Sequence, residues 1–494
     1  MRTLVSLTLL AAIAHAQEST PLVRSNTRVV LLDVVVTDGA GKPLRTLTRD
    51  NFSVYENGVA QKISSFEAPI ANASSGVALP NSPRNIILLD QLNITFADLS
   101  YGRDQLLLFL ERNHLESNPT ALMALGIRGL TTIQEYTQDR DLLKEKLTLF
   151  HPVMSNPVEG VIDQGKAEEH AQQSIAALFN IAEASQGSPY NLNVIWVTSG
   201  FAGSLKESKA KDGTDTGIRR LSNLLLHARL RLYTIDPQGV KPLAATAVAT
   251  PIAKTRTGRD GVQSASDSAA EEALASQGAA YEPNQFLSLL TGMMGGRSYF
   301  GRNDIDIAFS QAIADGAGNY SLSYTPANAD FHGEYRRIEI RTNVEFTKAR
   351  TRLGYYAIAD EPALTPEMRE AKWKAALSSP LAYEGFALSC PLTYDASGNH
   401  AVGVLTVKPT ELGMQMEQQS REVIRVAAVS KSGSILSEWN WQIDWKKPWT
   451  NRVTTANFDK PLPAKTNLLR FLISDPAAQQ IGTCDYRLPL MKGS

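Results

Sequence analysis

Four short segments, "NIILLD" (85–90), "TALMALGI" (120–127), "NLNVIWV" (191–197) and "LRLYTID" (230–236), constrain this chain more than any other feature. They are too short for buried helices and lack the alternation of half-exposed strands. Each therefore reads as a strand covered on both faces. Helix-period stretches separate them: "YGRDQLLLFLERN", "RDLLKEKLTLF", a long one over about 166–184 and another over about 218–229. Asp98 and Asp139 stand where they can cap the first two. Apolar strands alternating with amphipathic helices imply an α/β fold with a doubly wound, mainly parallel sheet. "LTTIQEYT" adds a strand, and helices near 283–290 and 304–314 flank "GGRSYFG".

Other segments follow a different grammar. Residues 27–70 carry β-branched runs around turn chemistry, "GAGKP" and Asn57-Gly58, and read as a small antiparallel β module. A linker-like composition extends from there to Pro83. The α/β unit is expected over 84–357, with "NYSLSYTP", "RRIEIRT" and "RLGYYA" as its last strands. An Ala-, Ser- and Gly-rich insertion at 241–278 shows no sustained period and reads as a loop. After a short helical linker, 381–490 has the pattern of an all-β sandwich.

The first sixteen residues, "MRTLVSLTLLAAIAHA", place Arg2 before an apolar run and end on Ala14-His15-Ala16. That layout is a secretory signal peptide over 1–16, so export to the periplasm or beyond is expected. No later run reaches the ~18 apolar residues of a membrane helix. In an oxidising compartment Cys390 and Cys484, the only cysteines, are expected to form a disulfide; reduced thiols are the alternative. Lys and Arg total 49 against 50 for Asp and Glu, a balance that argues against nucleic acid as partner.

Three stretches in order, "VVVTDGAGKPLRTLTRDNFSVYENGVAQKISSFE", "ILLDQLNITFADLSYGRDQLLLFL" and "TGMMGGRSYFGRNDIDIAFSQAIADGAGNYSLSYTP", resemble the family of VWFA-related acidobacterial domain proteins. The resemblance implies a von Willebrand factor type A-like fold, in which proteins are commonly bound through a metal at the top of the sheet. The superfamily's metal-ion-dependent adhesion site takes Asp-x-Ser-x-Ser, a Thr from a second loop and an Asp from a Thr-Asp-Gly turn. Oxygens from three loops must converge to hold a hard cation.

Carried onto this chain, that pattern is degenerate. Asp90 ends its strand, but Leu92 and Ile94 occupy the hydroxyl positions, with Asn93 and Thr95 displaced by one. The second loop, "HPVMSNPVEGVIDQG", contains no Thr and offers only Ser155. In "VTSG" (197–200), Ser199 stands in for the Asp. Asp90 is the only credible ligand, and neither Mg²⁺ nor another cofactor is expected. The letters "VTDG" at 36–39 read as a hairpin turn. The expected surface comprises Asp90, Asn93, Thr95, Ser155 and Ser199, facing a protein or, alternatively, a glycan. A Mg-dependent adhesin with unusual ligands, and a secreted enzyme, are the rival readings.

Trp439, Trp441, Ile443 and Trp445 share one strand face, either a binding strip or part of the sandwich core. Glu168, Glu169 and His170 read as a solvated helix face. No histidine pair, nucleophile elbow or phosphate-binding glycine spacing occurs, so no catalytic constellation is expected.

Overall fold

The structure is a computed structural model that describes residues 29–69, 83–112, 118–154, 164–188, 190–201, 203–204, 218–239, 280–281, 283–358, 364–395, 400–408, 421–444, 454–474 and 480–488. The signal segment 1–16, the insertion 241–278 and Ser155 lie outside these residues. It is a mixed α/β chain: a mixed sheet of mostly parallel strands accompanied by several antiparallel sheets.

Four strands come first: Val30–Thr37 (β1), Phe52–Glu56 (β2), Val59–Gln61 (β3) and Ile63–Glu67 (β4). The central stretch contains Arg84–Asp90 (β5), Phe96–Arg112 (α1), Thr120–Gly126 (β6), Gly129–Thr137 (β7), Arg140–Leu149 (α2) and Gln164–Ala184 (α3). It continues with Leu192–Val197 (β8), Gly203–Ser204 (β9), Ile218–His227 (α4), Leu230–Ile235 (β10) and Ala280–Tyr281 (β11). Then come a helix at Pro283–Met293, Arg297–Tyr299 (β12) and a helix at Ile305–Ala317.

The six-stranded sheet has the order β12-β10-β8-β5-β6-β7, parallel except for β7, which returns antiparallel on β6. Apart from the edge strand β7, the strands are buried almost end to end because side chains of both parities enter a core. On one face Ile87, Leu89, Ile195 and Val197 meet α1, α2 and the helix Ile305–Ala317. On the other, Ile86, Leu88, Val194 and Trp196 meet α3, α4 and the helix Pro283–Met293. Gly296 of "GGRSYFG" serves this packing: a Cβ there would fall 1.8 Å from the Leu232 carbonyl oxygen of β10.

Strand pairing crosses the boundary expected at residue 84. Asn319–Tyr324 (β13), Tyr335–Thr342 (β14), Lys348–Arg350 (β15) and Gly354–Tyr356 (β16) do not extend the central sheet. They complete two antiparallel sheets, β15-β1-β13-β4 and β16-β14-β2-β3, with the N-terminal strands. The two sheets share one core, with Leu32, Val34, Val54, Tyr320, Leu322 and Ile340 among its members. The physical reason is burial: the strands over 30–67 are too few to cover their own apolar face. Local turn chemistry holds as expected. Asn57 and Gly58 have positive φ, 49° and 81°, in the two-residue turn joining β2 and β3. The Asp38 carboxylate accepts from Ala40 N at 2.9 Å and Lys42 N at 2.8 Å in the turn after β1.

After a helix at Pro366–Ser378 the chain forms Ala387–Ser389 (β17), Leu392–Asp395 (β18), His400–Lys408 (β19), Arg421–Ser430 (β20), Ile435–Asp444 (β21), Thr454–Pro461 (β22), Thr466–Ser474 (β23) and Ile481–Arg487 (β24). These make two antiparallel sheets, β17-β19-β18 with β22 beside β19, and β21-β20-β23-β24. Leu405, Phe458, Ile424, Val426 and Phe471 fill the core between them. Cys390 and Cys484 are disulfide-bonded with Cα atoms 6.1 Å apart, joining the two sheets. Trp439 packs into this core, its ring 5.5 Å from that of Phe458, while Trp445 lies outside the described residues.

Candidate functional site

Strand order places the site. From β5 the chain proceeds to β6 and β7 on one side, then crosses to β8, β10 and β12 on the other. The C-terminal ends of β5 and β8 therefore bound the crevice where open α/β sheets take their ligands. Asp90 closes β5 at this point, and Leu89 pairs with Val197, which brings Thr198 beside Asp90.

The Asp90 carboxylate is fully buried and spoken for on both oxygens. Oδ1 accepts from Leu92 N at 2.8 Å and Asn93 N at 3.1 Å. Oδ2 accepts from Asn93 Nδ2 at 2.9 Å and Thr198 Oγ1 at 2.7 Å. Asn93 Nδ2 also donates to Ser174 Oγ of α3 at 2.8 Å. Burial pushes the Asp90 carboxyl above its usual range; the four hydrogen bonds pull the other way and are outweighed. Thr198 and Ser174 are not legible as site residues in the sequence. Lateral strand register is the only signal for Thr198, and nothing local marks Ser174.

The remaining expected residues divide. Thr95 is turned to the helix: its Oγ1 accepts from Asp98 N at 3.1 Å and donates to Asp98 Oδ2 at 2.8 Å. Thr95 thus caps α1, and Asp98, expected as the cap, sits inside its first turn. Asp139 caps α2 as its position implies. Ser199 Oγ is buried without a hydrogen-bond partner among the described residues. Glu168 and Glu169 are exposed, but His170 is buried, contrary to a fully solvated helix face.

These residues do not fit a hard cation. Leu92 inserts into the core on one face of the sheet and Ile94 into the core on the other. The two positions where hydroxyl ligands would stand instead pin the loop to both layers. The carboxylate already accepts four donors, one an amide nitrogen that would face the metal with the wrong sign. Among the described residues no three His, Cys, Asp or Glu side chains gather as a metal site.

Exposed apolar side chains stand near this closed polar knot. Val153 donates its backbone N–H to Gln91 Oε1 at 2.6 Å, and a Cβ on Gly126 would stand 3.6 Å from Gln91 Nε2. Val153 and Ile127, neighbours of those contacts, are 70% and 60% exposed, and Phe96, at the start of α1, is 57% exposed. Sequence periodicity does not flag them, because each lies at a turn or an element end.

The site and sheet define a mixed α/β protein with a filled, polar switch point. No protein-family model and no curated protein matches the chain. Among solved structures, the TFIIH p34 N-terminal domain is similar at 15% identity and TM-score 0.20, covering 32% of this chain and 81% of that one. The SpRpn10 VWA domain is similar at 13% identity and TM-score 0.17, covering 32% and 89%. An endonuclease/exonuclease/phosphatase from Beutenbergia cavernae DSM 12333 is similar at 14% identity and TM-score 0.13, covering 36% and 39%. The likeness to a VWA domain is weak and extends over about a third of the chain. No described helix is long and apolar enough to cross a membrane.

Proposed function

We propose that this chain is an exported, non-catalytic interaction or adhesion protein of the von Willebrand A-like type, akin to the VWFA-related acidobacterial proteins. It binds a protein partner at the C-terminal edge of the central sheet, without a cation between them. The observation that carries this reading is the pairing of a saturated carboxylate with an exposed apolar rim, Phe96, Ile127 and Val153. Scattered exposed apolar residues are ordinary, but several at one ligand-binding edge suit the centre of a protein interface. A glycan would be favoured by exposed aromatic strips, and Trp439 is turned into the core.

Two measurements test this. Titration of the purified protein with Mg²⁺ or Mn²⁺ is expected to give no heat and no rise in melting temperature; saturable binding would restore the metal-dependent adhesin. Proteins retained from the native secretome by wild type, in the presence of a chelator, are expected to be lost with Ile127→Glu and kept with Val59→Glu. Equal retention by both variants overturns the proposed surface.

A further inference from the structure

A second polar region lies at the opposite end of the central sheet, where it meets the N-terminal antiparallel layer. Arg231, at the start of β10, is 1% exposed, and Arg352, between β15 and β16, is 4% exposed. Gly295 lies against both: a Cβ there would stand 3.4 Å from Arg352 N and 3.9 Å from Arg231 Cγ. Arg231 Nη2 donates to the Gly316 carbonyl at 3.0 Å, while its Nε and Nη1 find no acceptor among the described residues. Arg352 Nη1 is likewise without an acceptor among them.

Two carboxylates, Asp315 and Asp33, lie in the same region, but both are also engaged by other groups. Asp315 is engaged by Arg350, whose Nη2 meets its Oδ2. Asp33 Oδ1 accepts from Asn319 Nδ2 at 3.1 Å and Ser321 Oγ at 3.0 Å. Tyr233 OH, in the field of Arg231, and Tyr335 OH, in that of Arg352, are also buried without partners among the described residues. Burial pushes the Arg352 guanidinium down to about 10, with Arg231 adding to the depression and Asp33 opposing it. Arg352 thus stays cationic at neutral pH. Buried guanidinium N–H groups left without acceptors are costly. The unpaired atoms are mostly donors, a set that matches an anion better than water, which needs acceptors as well.

We propose that Arg231 and Arg352 hold a small monovalent inorganic anion, of chloride size, in the seam between the central sheet and the N-terminal layer. A ligand bound only by the folded state raises stability with the logarithm of its concentration. Melting of the full-length protein is therefore expected to rise steadily with chloride at constant ionic strength, gluconate being the balancing anion. Replacing gluconate by chloride should raise the midpoint by about 1–2 °C, the size of a ~1 kcal/mol effect in a chain of this length. Arg352→Met should abolish that chloride dependence. If this variant fails to fold, crystals of the wild type grown in bromide provide the second measurement. Anomalous density within hydrogen-bonding distance of both guanidinium groups is expected. No density there, or equal chloride dependence in wild type and Arg352→Met, overturns the site.

Discussion

The two ends of β5 solve opposite problems with opposite chemistry. At its C-terminal end, Asp90 is a buried carboxylate held by neutral donors from its own loop and from Thr198. At its start, Arg84 pairs with Glu384 of the C-terminal region, and Glu384 also accepts from Ser188 Oγ. The Arg84 guanidinium lies 3.7 Å from the Tyr190 ring centroid and 5.1 Å from that of Tyr136. One end is closed inside the sheet; the other joins the sheet to the C-terminal β region. Burial separates them energetically: Asp90 is excluded from water, whereas the Arg84 and Glu384 side chains keep 23% and 22% exposure. A carboxylate without water depends wholly on its partners, while a half-wet ion pair shares that task with solvent.

The largest effect should therefore lie at Asp90. Asp90→Ala removes the acceptor of four donor contacts, two of them fully buried, and a loss of roughly 3–5 kcal/mol in urea denaturation is expected. Asp90→Asn keeps one acceptor oxygen but sets an NH₂ against the donors on the other, for a loss of about 1–3 kcal/mol. The pH dependence has a definite sign. Because the folded-state pKa of Asp90 is raised, the folded protein binds the proton more tightly than the unfolded chain does. The stability this contributes is fully present below the unfolded value and is lost as pH rises through the folded one. The gap between wild type and Asp90→Asn should thus be widest in acid and narrow toward neutrality. A gap that widens with pH would mean that the ionised carboxylate has a cationic partner, and the two ends of β5 would no longer differ in kind.

At the other end, a double-mutant cycle on Arg84→Met and Glu384→Gln should yield a coupling of about 1 kcal/mol, discounted for partial exposure. Each single variant should also speed proteolytic cleavage between the α/β region and the C-terminal sheets, since the pair ties them together. Zero coupling would leave the tie to the shared hydrophobic core, in which Leu472 and Ile481 meet Trp373 and Ala376, and to contacts such as Arg487 with Glu135 and Thr132 Oγ1 with the Pro380 carbonyl.

Legibility in the sequence tracks the range of the interactions. The buried strands and the cap at Asp139 depend on neighbours within a few residues, and both are legible. The edge strand β7 is also legible, as its alternating "LTTIQEYT" has one face outward. Asp90 can be recognised as a strand-end acid, but its true partner Thr198 lies 108 residues away. Only the register of β5 against β8 brings them together. The pairing of β1 with β13 joins residues nearly 300 apart, so an apolar run such as "VVLLDVVV" cannot announce its partner strand. The unusual identities at 92 and 94 do carry information. Two apolar residues where ligands are needed signal a closed loop, and the structure shows what closes it: one side chain in each core.

Salt provides the smallest and most discriminating contrast. The screening length shortens from about 10 Å at 0.1 M to about 3 Å at 1 M ionic strength, which weakens exposed charges more than buried ones. The Arg84–Glu384 coupling should fall across that range without vanishing, because the flanking tyrosine rings shield part of the pair. The loss caused by Asp90→Ala should stay constant within about 0.5 kcal/mol, since its partners are neutral dipoles that ions do not screen. A salt-sensitive Asp90 would require a charge reaching it from solvent. A cation at the switch point is the one arrangement that would supply it, so measuring both variants in the same salt series tests the closed site against the open one.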